Sequence, residues 1–232
     1  MQTLFFDLDH TLWDFEKNSR EALTEGYDVL NLAAEGVGEL KKYISSYEQA
    51  NNWCWAEYRA GRIQKEQLRG LRFALAMEPW GLSENKELGE KLGKHYIETS
   101  PFKTNLIEGT VEVLEELKSR GHRMLILTNG FEEVQHLKVE RCGLAKFFDE
   151  VYTSDALGFK KPNPLAFQLA LEMASEQAEN VTMLGDSLEA DIIGAREAGW
   201  GQVYFNPQGT PHTEEIQHEV KSLVEILDIV LN

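Results

Sequence analysis

Two aspartates one residue apart, Asp7 and Asp9, follow an apolar segment near the start of the chain. Residues i and i+2 of an extended strand point to the same face, so both carboxylates would point the same way at the end of a predicted strand. Like charges that close repel each other, and a divalent cation that prefers hard oxygen ligands, such as Mg²⁺, would offset the repulsion. The pattern therefore indicates either a metal-assisted site with an aspartate nucleophile or a polar turn after a buried strand.

Polar residues also follow three later predicted strands. They are Thr128-Asn129-Gly130, the Gly158–Asn163 segment with Lys160 and Lys161, and Gly185-Asp186-Ser187 with Asp191 five residues beyond Asp186. Each group alone is typical of a turn, a loop or a helix entry. In parallel sheets, however, ligands bind beyond the carboxyl ends of the strands. Together the groups offer carboxylates for a cation, donors for an oxyanion and a positive charge, a set that suits phosphoryl transfer.

The elements that must position these residues alternate between strand and helix from Ile107 onward. Apolar runs predict strands over 123–128, 150–153, 181–184 and 202–205, and amphipathic patterns predict helices over about 110–120, 131–141, 164–174, 189–198 and 222–231. Such alternation predicts an α/β fold with a doubly wound parallel sheet.

The chain between Phe15 and Pro101 has a different pattern, with apolar residues at spacings of three and four and glycines between the runs. This pattern predicts four or five helices and no strand. One strand before the helical segment and several after it predict a discontinuous catalytic core of residues 1–14 and 103–232, with an all-helical cap domain inserted as residues 15–102.

The composition limits the possible partners. The chain has 232 residues, a formal net charge of −16 and 42% hydrophobic residues, which is enough for a packed core. Duplex nucleic acid and anionic membrane surfaces require a basic face, so we expect neither as a partner. A local positive charge and a metal can still bind a small anion. Cys54 and Cys142 indicate no disulfide framework, and the first residues lack a secretory pattern, so we expect a cytoplasmic protein.

Four motifs, in this order, resemble those of the haloacid-dehalogenase superfamily of phosphohydrolases. They are Asp7-Leu8-Asp9-His10-Thr11, Thr128, Lys161 before Pro162, and Gly185-Asp186-Ser187 with Asp191. The resemblance implies a Rossmann-like core, a helical cap after the first motif and Mg²⁺ as the cofactor. The dehalogenases themselves lack a carboxylate at the position of Asp9, so the chain resembles the phosphatase branch.

The resemblance also implies catalytic roles. Asp7 would be the nucleophile that becomes an aspartyl-phosphate. Asp9 would be the general acid and base, because an aspartate at this position can protonate a leaving alkoxide and then deprotonate the attacking water. Thr128 and Lys161 would hold the phosphoryl oxygens.

Binding roles follow from the same resemblance. Asp7, the backbone carbonyl of Asp9, and Asp186 would bind Mg²⁺, and Asp191 would support the metal directly or through water. Further candidates for substrate binding, besides Thr128 and Lys161, are Asn129, Gly130 and His10.

A narrower resemblance concerns the substrate. The segments 126–131 and 139–149, and Trp55 to Ile63 in the predicted cap, resemble the YjjG-type pyrimidine 5′-nucleotidases. This resemblance implies a small phosphorylated metabolite as the partner, a nucleoside monophosphate, and we expect a monomer or a weak homodimer.

Two alternatives remain open. The first is a sugar-phosphate or phosphoglycolate phosphatase with the same core. The second is a non-enzymatic, receiver-like phospho-acceptor module, which also gathers carboxylates, a Thr and a Lys around Mg²⁺. A receiver's lysine follows all its carboxylates, whereas Lys161 precedes Asp186 here, and a receiver lacks the long helical insertion.

Overall fold

The apolar segment before Asp7 forms a buried strand at the centre of a six-stranded parallel sheet. The strands are β1 (Thr3–Phe6), β2 (Arg123–Thr128), β3 (Glu150–Thr153), β4 (Val181–Gly185), β5 (Gly201–Phe205) and β6 (His218–Val220). A computed structural model describes residues 2–230 of the chain. The strand order is β3-β2-β1-β4-β5-β6, and every pairing is parallel. This order is that of a Rossmann-like sheet.

Side chains of β1 alternate between two apolar layers, as the period of a strand requires. Leu4 and Phe6 belong to one buried cluster, together with Leu114 and Val139. Phe5 belongs to the cluster on the other side, which includes residues of the helices that cover that face. Because both faces are covered, the predicted doubly wound α/β fold is confirmed.

The helices after the insertion lie in the order that the sequence predicts, except that one short helix was not predicted. They are α5 (Thr110–Ser119), α6 (Glu132–Arg141), α7 (Ser154–Leu157), α8 (Pro164–Ala174), α9 (Gly194–Glu197) and α10 (Ile226–Val230). The helix that was not predicted is the short α7. A π-helical turn, Leu188–Ile193, leads directly into α9. Asn163 caps α8 by accepting a hydrogen bond from the Leu165 amide, and Pro164 occupies the first helical position, where its missing N–H has no cost.

The chain folds as two compact units, each with its own core. One unit combines the chain up to Phe15 with the chain from Thr104 onward, and the other is Glu16–Lys103. The second unit contains four α-helices, and the first of them begins one residue before the unit does. The helices are α1 (Phe15–Val29), α2 (Leu40–Arg59), α3 (Lys65–Ala76) and α4 (Lys86–Thr99). Tyr43, Tyr47, Phe73 and Tyr96 lie in its buried cluster. Whether this unit acts as a cap stays a prediction.

Three local features differ from the sequence-based expectation. The expected helix over 189–198 is the π-helical turn followed by the short α9. Strand β6 was not predicted, because three partly exposed residues give no clear period. The expected tail helix over 222–231 is a 3₁₀ turn, Leu223–Glu225, followed by α10, and Leu231 lies outside the described residues. Between residues 2 and 230, no helix has the length and apolarity that crossing a membrane requires.

Candidate active site

Asp7 and Asp186 directly follow two neighbouring central strands, β1 and β4. The Asp7 amide donates a hydrogen bond to the carbonyl of Leu184 over 2.8 Å, which continues the strand pairing past the end of β1. The loop after β1 also bonds Asp186 twice. Thr11 Oγ1 accepts from the Asp186 amide over 3.1 Å and donates to Asp186 Oδ1 over 3.2 Å. The backbone therefore brings both carboxylates to the carboxyl edge of the sheet.

Asp191 joins them from the π-helical turn. Its Oδ2 accepts a hydrogen bond from the Ser187 amide over 3.0 Å. Gly185 leaves the space for this carboxylate, because a Cβ at position 185 would lie 2.2 Å from Asp191 Oδ2. Asp7, Asp186 and Asp191 can each present one oxygen so that the three atoms lie within 4.8 Å of one another.

Lys161 places a buried ammonium against this cluster. Its Nζ donates to Asp7 Oδ1 over 2.8 Å, to Asp191 Oδ1 over 2.6 Å and to the Leu127 carbonyl over 2.5 Å. An ammonium has three hydrogens, so these bonds use its full donor capacity. The backbone of Lys161 is fixed as well, because Asn129 accepts from its amide and donates to its carbonyl, both over 2.8 Å.

The charges of the cluster do not balance. Burial raises the pKa of Asp7 to about 7 against the attraction of Lys161. Burial, followed by repulsion from Asp7 and Asp191, raises the pKa of Asp186 well above its ordinary value. Burial alone would lower the pKa of Lys161, but Asp191 and Asp7 outweigh it and raise this pKa to about 12. A single ammonium is thus insufficient for three carboxylates.

A divalent cation fits this arrangement. The three side chains offer hard oxygen donors at a separation that one small cation can span, and Mg²⁺ prefers such ligands. The cation would also lower the cost of ionising Asp7 and Asp186, since an opposite charge favours the ionised form. Asp7, Asp186 and Asp191 are therefore the side chains that could hold Mg²⁺.

The residues that follow β2 lie beside the same cluster. Thr128 is buried at the end of β2, and its Oγ1 accepts a hydrogen bond from the Gly130 amide over 3.2 Å. Asn129 uses both ends of its side-chain amide on the backbone of Lys161. The structure thus connects Asn129 to the placement of the lysine, and direct contacts of Asn129 and Gly130 with substrate stay predictions.

Asp9 has its own partners on α6, although its charge also contributes to the raised pKa of Asp7. Gln135 Nε2 donates to Asp9 Oδ2 over 2.7 Å, and Lys138 Nζ donates to Asp9 Oδ1 over 2.5 Å. Burial alone would raise the pKa of Asp9, but Lys138, Gln135 and His10 together hold it below its ordinary value. In the part of the chain that is described, the side-chain group that could hold a metal does not include Asp9. The backbone carbonyl remains the predicted contribution of Asp9.

His10 occupies the turn after Asp9, with a left-handed backbone (φ 64°). Its amide donates to the Trp13 carbonyl over 3.0 Å, and its exposed ring stacks on Phe15 with centroids 4.5 Å apart. The role of His10 in substrate binding stays a prediction.

Known proteins match this chain over nearly its whole length. Residues 1–199 match the family of haloacid dehalogenase-like hydrolases. The chain belongs to this family. The pyrimidine 5′-nucleotidase PynA of Streptococcus pneumoniae is 30% identical over 228 residues, which cover 97% of this chain and 93% of PynA. The pyrimidine 5′-nucleotidase YjjG of Escherichia coli is 30% identical over 231 residues, covering 95% and 96%.

Two further matches concern the metal and the range of substrates in this hydrolase family. A crystal structure of the HAD-hydrolase YfnB of Bacillus subtilis bound to magnesium superimposes with a TM-score of 0.88, at 26% identity and with 99% and 98% of the two chains covered. The glyceraldehyde 3-phosphate phosphatase of Methanothermobacter thermautotrophicus is 31% identical over 218 residues, covering 90% and 88%. The resemblance drawn from the four motifs is confirmed by the family match.

Sequence reasoning on this hydrolase missed Gln135 and Lys138. Both lie on α6, three residues apart and therefore on one helix face, and both are buried. The available signal was their position on the predicted helix that follows the Thr128-Asn129-Gly130 motif. The structure adds that a Cβ at position 130 would lie 1.4 Å from Gln135 Nε2. A polar pair on a helix usually indicates a solvated face, and the sequence does not show that the side chains turn towards Asp9.

Proposed function

We propose that this hydrolase is a Mg²⁺-dependent phosphomonoester hydrolase that works through an aspartyl-phosphate on Asp7. The observation that supports it most directly is the placement of Asp7, Asp186 and Asp191 oxygens within 4.8 Å, with Lys161 bonded to Asp7 and Asp191. Such a site can bind a cation and still present a carboxylate to phosphorus. Phosphoryl transfer needs this combination of position and charge neutralisation.

In the proposed first step, a carboxylate oxygen of Asp7 attacks phosphorus. A bond between Asp7 and phosphorus forms while the bond from phosphorus to the leaving-group oxygen breaks, and protonated Asp9 gives its proton to that oxygen. In the second step, the Asp9 carboxylate takes a proton from water, and the water oxygen attacks phosphorus. The bond to Asp7 then breaks and inorganic phosphate leaves.

The remaining residues stabilise charge. Mg²⁺, when bound by Asp7, Asp186 and Asp191, would supply positive charge next to the phosphoryl oxygens. Thr128 presents a buried hydroxyl at the end of β2, and Lys161 holds the Asp7 and Asp191 carboxylates in place. We assign Thr128 and Lys161 to the phosphoryl oxygens on the basis of the family resemblance and this position, and Lys161 Nζ would then exchange one of its three hydrogen bonds for a phosphoryl oxygen.

The substrate we propose is a nucleoside 5′-monophosphate, and in particular a pyrimidine one. Support comes from the similarity to PynA and YjjG over nearly the full length of both. A second candidate is a phosphorylated small sugar or acid, because the glyceraldehyde 3-phosphate phosphatase has a comparable identity of 31% over a somewhat shorter length. The hydrolase family over residues 1–199 disfavours the receiver-like alternative.

A phosphate-release screen tests the proposal. Purified protein is given uridine, thymidine and adenosine 5′-monophosphates, glyceraldehyde 3-phosphate and phosphoglycolate, each with Mg²⁺ and with EDTA. We expect many turnovers with Mg²⁺, none with EDTA, and the highest kcat/KM for the pyrimidine nucleotides. A preference for the sugar phosphate would favour the second candidate. Incorporation of one phosphoryl group without release would indicate a receiver-like acceptor.

Three further predictions stay proposals alongside this function. They are the role of residues 15–102 as a cap domain, the monomeric or weakly dimeric state, and the cytoplasmic location. Size-exclusion chromatography with light scattering across a range of concentrations tests the oligomeric state directly.

A further inference from the structure

Both oxygens of the Asp9 carboxylate are held by side chains of α6. Oδ2 accepts from Gln135 Nε2 over 2.7 Å, and Oδ1 accepts from Lys138 Nζ over 2.5 Å. Charged hydrogen bonds of this length are among the stronger ones in proteins. Because the two donors are three residues apart on one helix, they contact the carboxylate at two points and fix its rotation.

The Lys138 ammonium is itself held in place. The side chain is 5% exposed, and Nζ lies 3.9 Å from the centre of the Trp13 ring and 5.8 Å from that of Phe15. An ammonium over an aromatic face is attracted by the ring, most strongly when water is excluded. Burying an ion pair has a desolvation cost, which good geometry and further contacts can offset. The aromatic contacts therefore favour one position for the ammonium.

Gly130 gives Gln135 its path to Asp9. A Cβ at position 130 would lie 1.4 Å from Gln135 Nε2 and 2.3 Å from its Cδ, so any larger residue would displace the amide. Gly130 does not have a positive φ, so the space rather than the backbone conformation requires glycine. The glycine of the Thr128-Asn129-Gly130 motif thus has a role in the placement of Asp9.

We propose that Gln135 and Lys138 are positioning residues that orient the Asp9 carboxylate for proton transfer to and from the leaving group and water. This inference rests on the proposed phosphatase function. At the contacting atoms both partners are donors, and neither an ammonium nor an amide nitrogen accepts a proton from Asp9. Neither partner can therefore take up a proton that Asp9 holds, and the two hydrogen bonds fix the direction of the carboxylate.

The consequence depends on the leaving group. A nucleoside 5′-alkoxide is a poor leaving group and needs the proton of Asp9, whereas 4-nitrophenolate leaves with little help. Since kcat/KM reports the steps up to phosphoryl transfer, it separates the two cases without a contribution from hydrolysis of the aspartyl-phosphate. A loosened Asp9 should lower kcat/KM for a nucleotide far more than for an aryl phosphate.

The experiment compares Gln135→Met and Lys138→Met with wild type on uridine 5′-monophosphate and on 4-nitrophenyl phosphate. We expect each variant to lose about 10- to 100-fold in kcat/KM on the nucleotide, as misplacement of a catalytic group does, and no more than about threefold on the aryl phosphate. Lys138→Arg keeps a donor and a charge and should recover part of the loss. Gly130→Ala should reproduce the selectivity of Gln135→Met by displacing the amide.

Lys146→Met is the matched control. Lys146 also combines a carboxylate partner, Glu115, with an aromatic ring, Phe147, but its side chain is 63% exposed and contacts no residue of the site. We expect it to match wild type on both substrates. Thermal unfolding establishes that each variant is folded, and if Lys138→Met is not, Gln135→Met and Lys138→Arg decide.

Two results would overturn the inference. One is an equal loss on both substrates in folded variants, which would make the pair merely structural. The other is an altered Mg²⁺ concentration for half-maximal activity, which would mean that the pair acts through the metal. Failure of the proposed function looks different, because wild type would then release no phosphate from either substrate.

Discussion

Both units of this protein contain buried cations, and two of these, Lys161 in the α/β unit and Arg72 in the helical unit, have different surroundings. In the α/β unit, Lys161 bonds the carboxylates of Asp7 and Asp191, and Asp186 completes an acidic cluster beside it. In the helical unit, Arg72 donates to the neutral amide of Asn51 over 2.9 Å. The Arg72 guanidinium also lies 4.9 to 5.8 Å from the centres of three rings, those of Tyr47, Phe73 and Tyr96.

The difference indicates which buried charge has a function. Among residues 2–230, no carboxylate pairs with Arg72, and an amide and aromatic faces stabilise its charge within the unit itself. In the described part of the chain, Lys161 pairs with Asp7 and Asp191, and burial together with repulsion between the carboxylates raises the pKa values of Asp7 and Asp186. A cation that favours their ionised forms would have to come from outside the protein, so we associate the Lys161 region with chemistry and the Arg72 region with stability.

The largest effect that would test this comparison is expected from Asp7→Asn. Asparagine is nearly isosteric and removes one of the mutually repelling charges, so the variant should fold. It cannot form the aspartyl-phosphate, and kcat should fall below about one hundredth of wild type. Phosphate release and circular dichroism measure the two properties. A folded variant above that level would exclude attack by Asp7.

Removal of the metal tests whether Asp7, Asp186 and Asp191 need a bound cation. We expect EDTA to abolish phosphate release and added Mg²⁺ to restore it, because the Asp7, Asp186 and Asp191 oxygens need a counter-ion to converge. Mg²⁺ should also raise the midpoint of thermal unfolding, since a ligand that binds only the folded state stabilises it. Asp186→Asn should weaken this shift, whereas Arg72→Met should keep it. Activity that resists the chelator would contradict the metal assignment.

Asp9→Asn sharpens the comparison within the α/β unit. The variant lacks the proton donor, so turnover of a nucleotide should fall by about 10²- to 10⁴-fold, the usual contribution of general acid catalysis. Rapid mixing with 4-nitrophenyl phosphate should still give a burst of 4-nitrophenolate, because that group leaves without a proton. If the first step slowed equally for both substrates, Asp9 would not be the general acid.

Sequence patterns predict the elements that have clear periods or caps. The apolar run of β2 and the Asn163-Pro164 start of α8 each have a local physical cause, so the bounds agree closely with those expected. Strand β6 has no such local cause, because it forms by pairing with β5. The residues of the π-helical turn have a helical pattern, and that pattern does not separate a π-helical turn from an α-helix.

The candidate site divides in the same way. Asp7 and Asp186 directly follow strands, and Lys161 and Asp191 lie in the segments after β3 and β4. Parallel strands bring their carboxyl ends to one edge of the sheet. The partners of Asp9 lie on a helix, where the sequence gives no direction for a side chain. The sequence also does not predict the two hydrogen bonds between the Asn129 side chain and the backbone of Lys161, because they depend on the distance between two loops.

The smallest expected effect belongs to the helical unit, where Arg72→Met should change stability without changing chemistry. The substitution removes the charged donor from buried Asn51, whose remaining partner is Tyr47 at 3.5 Å, and we expect a loss of about 1–3 kcal/mol in the free energy of unfolding. Loss of the aromatic contacts adds to it, while relief of the buried charge opposes it.

Urea unfolding gives the change in stability, and kcat/KM on uridine 5′-monophosphate should stay within about twofold of wild type in the folded variant. The double variant Asn51→Leu/Arg72→Met should recover part of the lost stability, because it removes the unsatisfied amide as well. The opposite result would be a fall of about tenfold or more in kcat/KM for Arg72→Met with an unchanged unfolding curve. Arg72 would then have a functional role. Neutral surroundings would no longer distinguish a structural buried charge from a catalytic one in this fold.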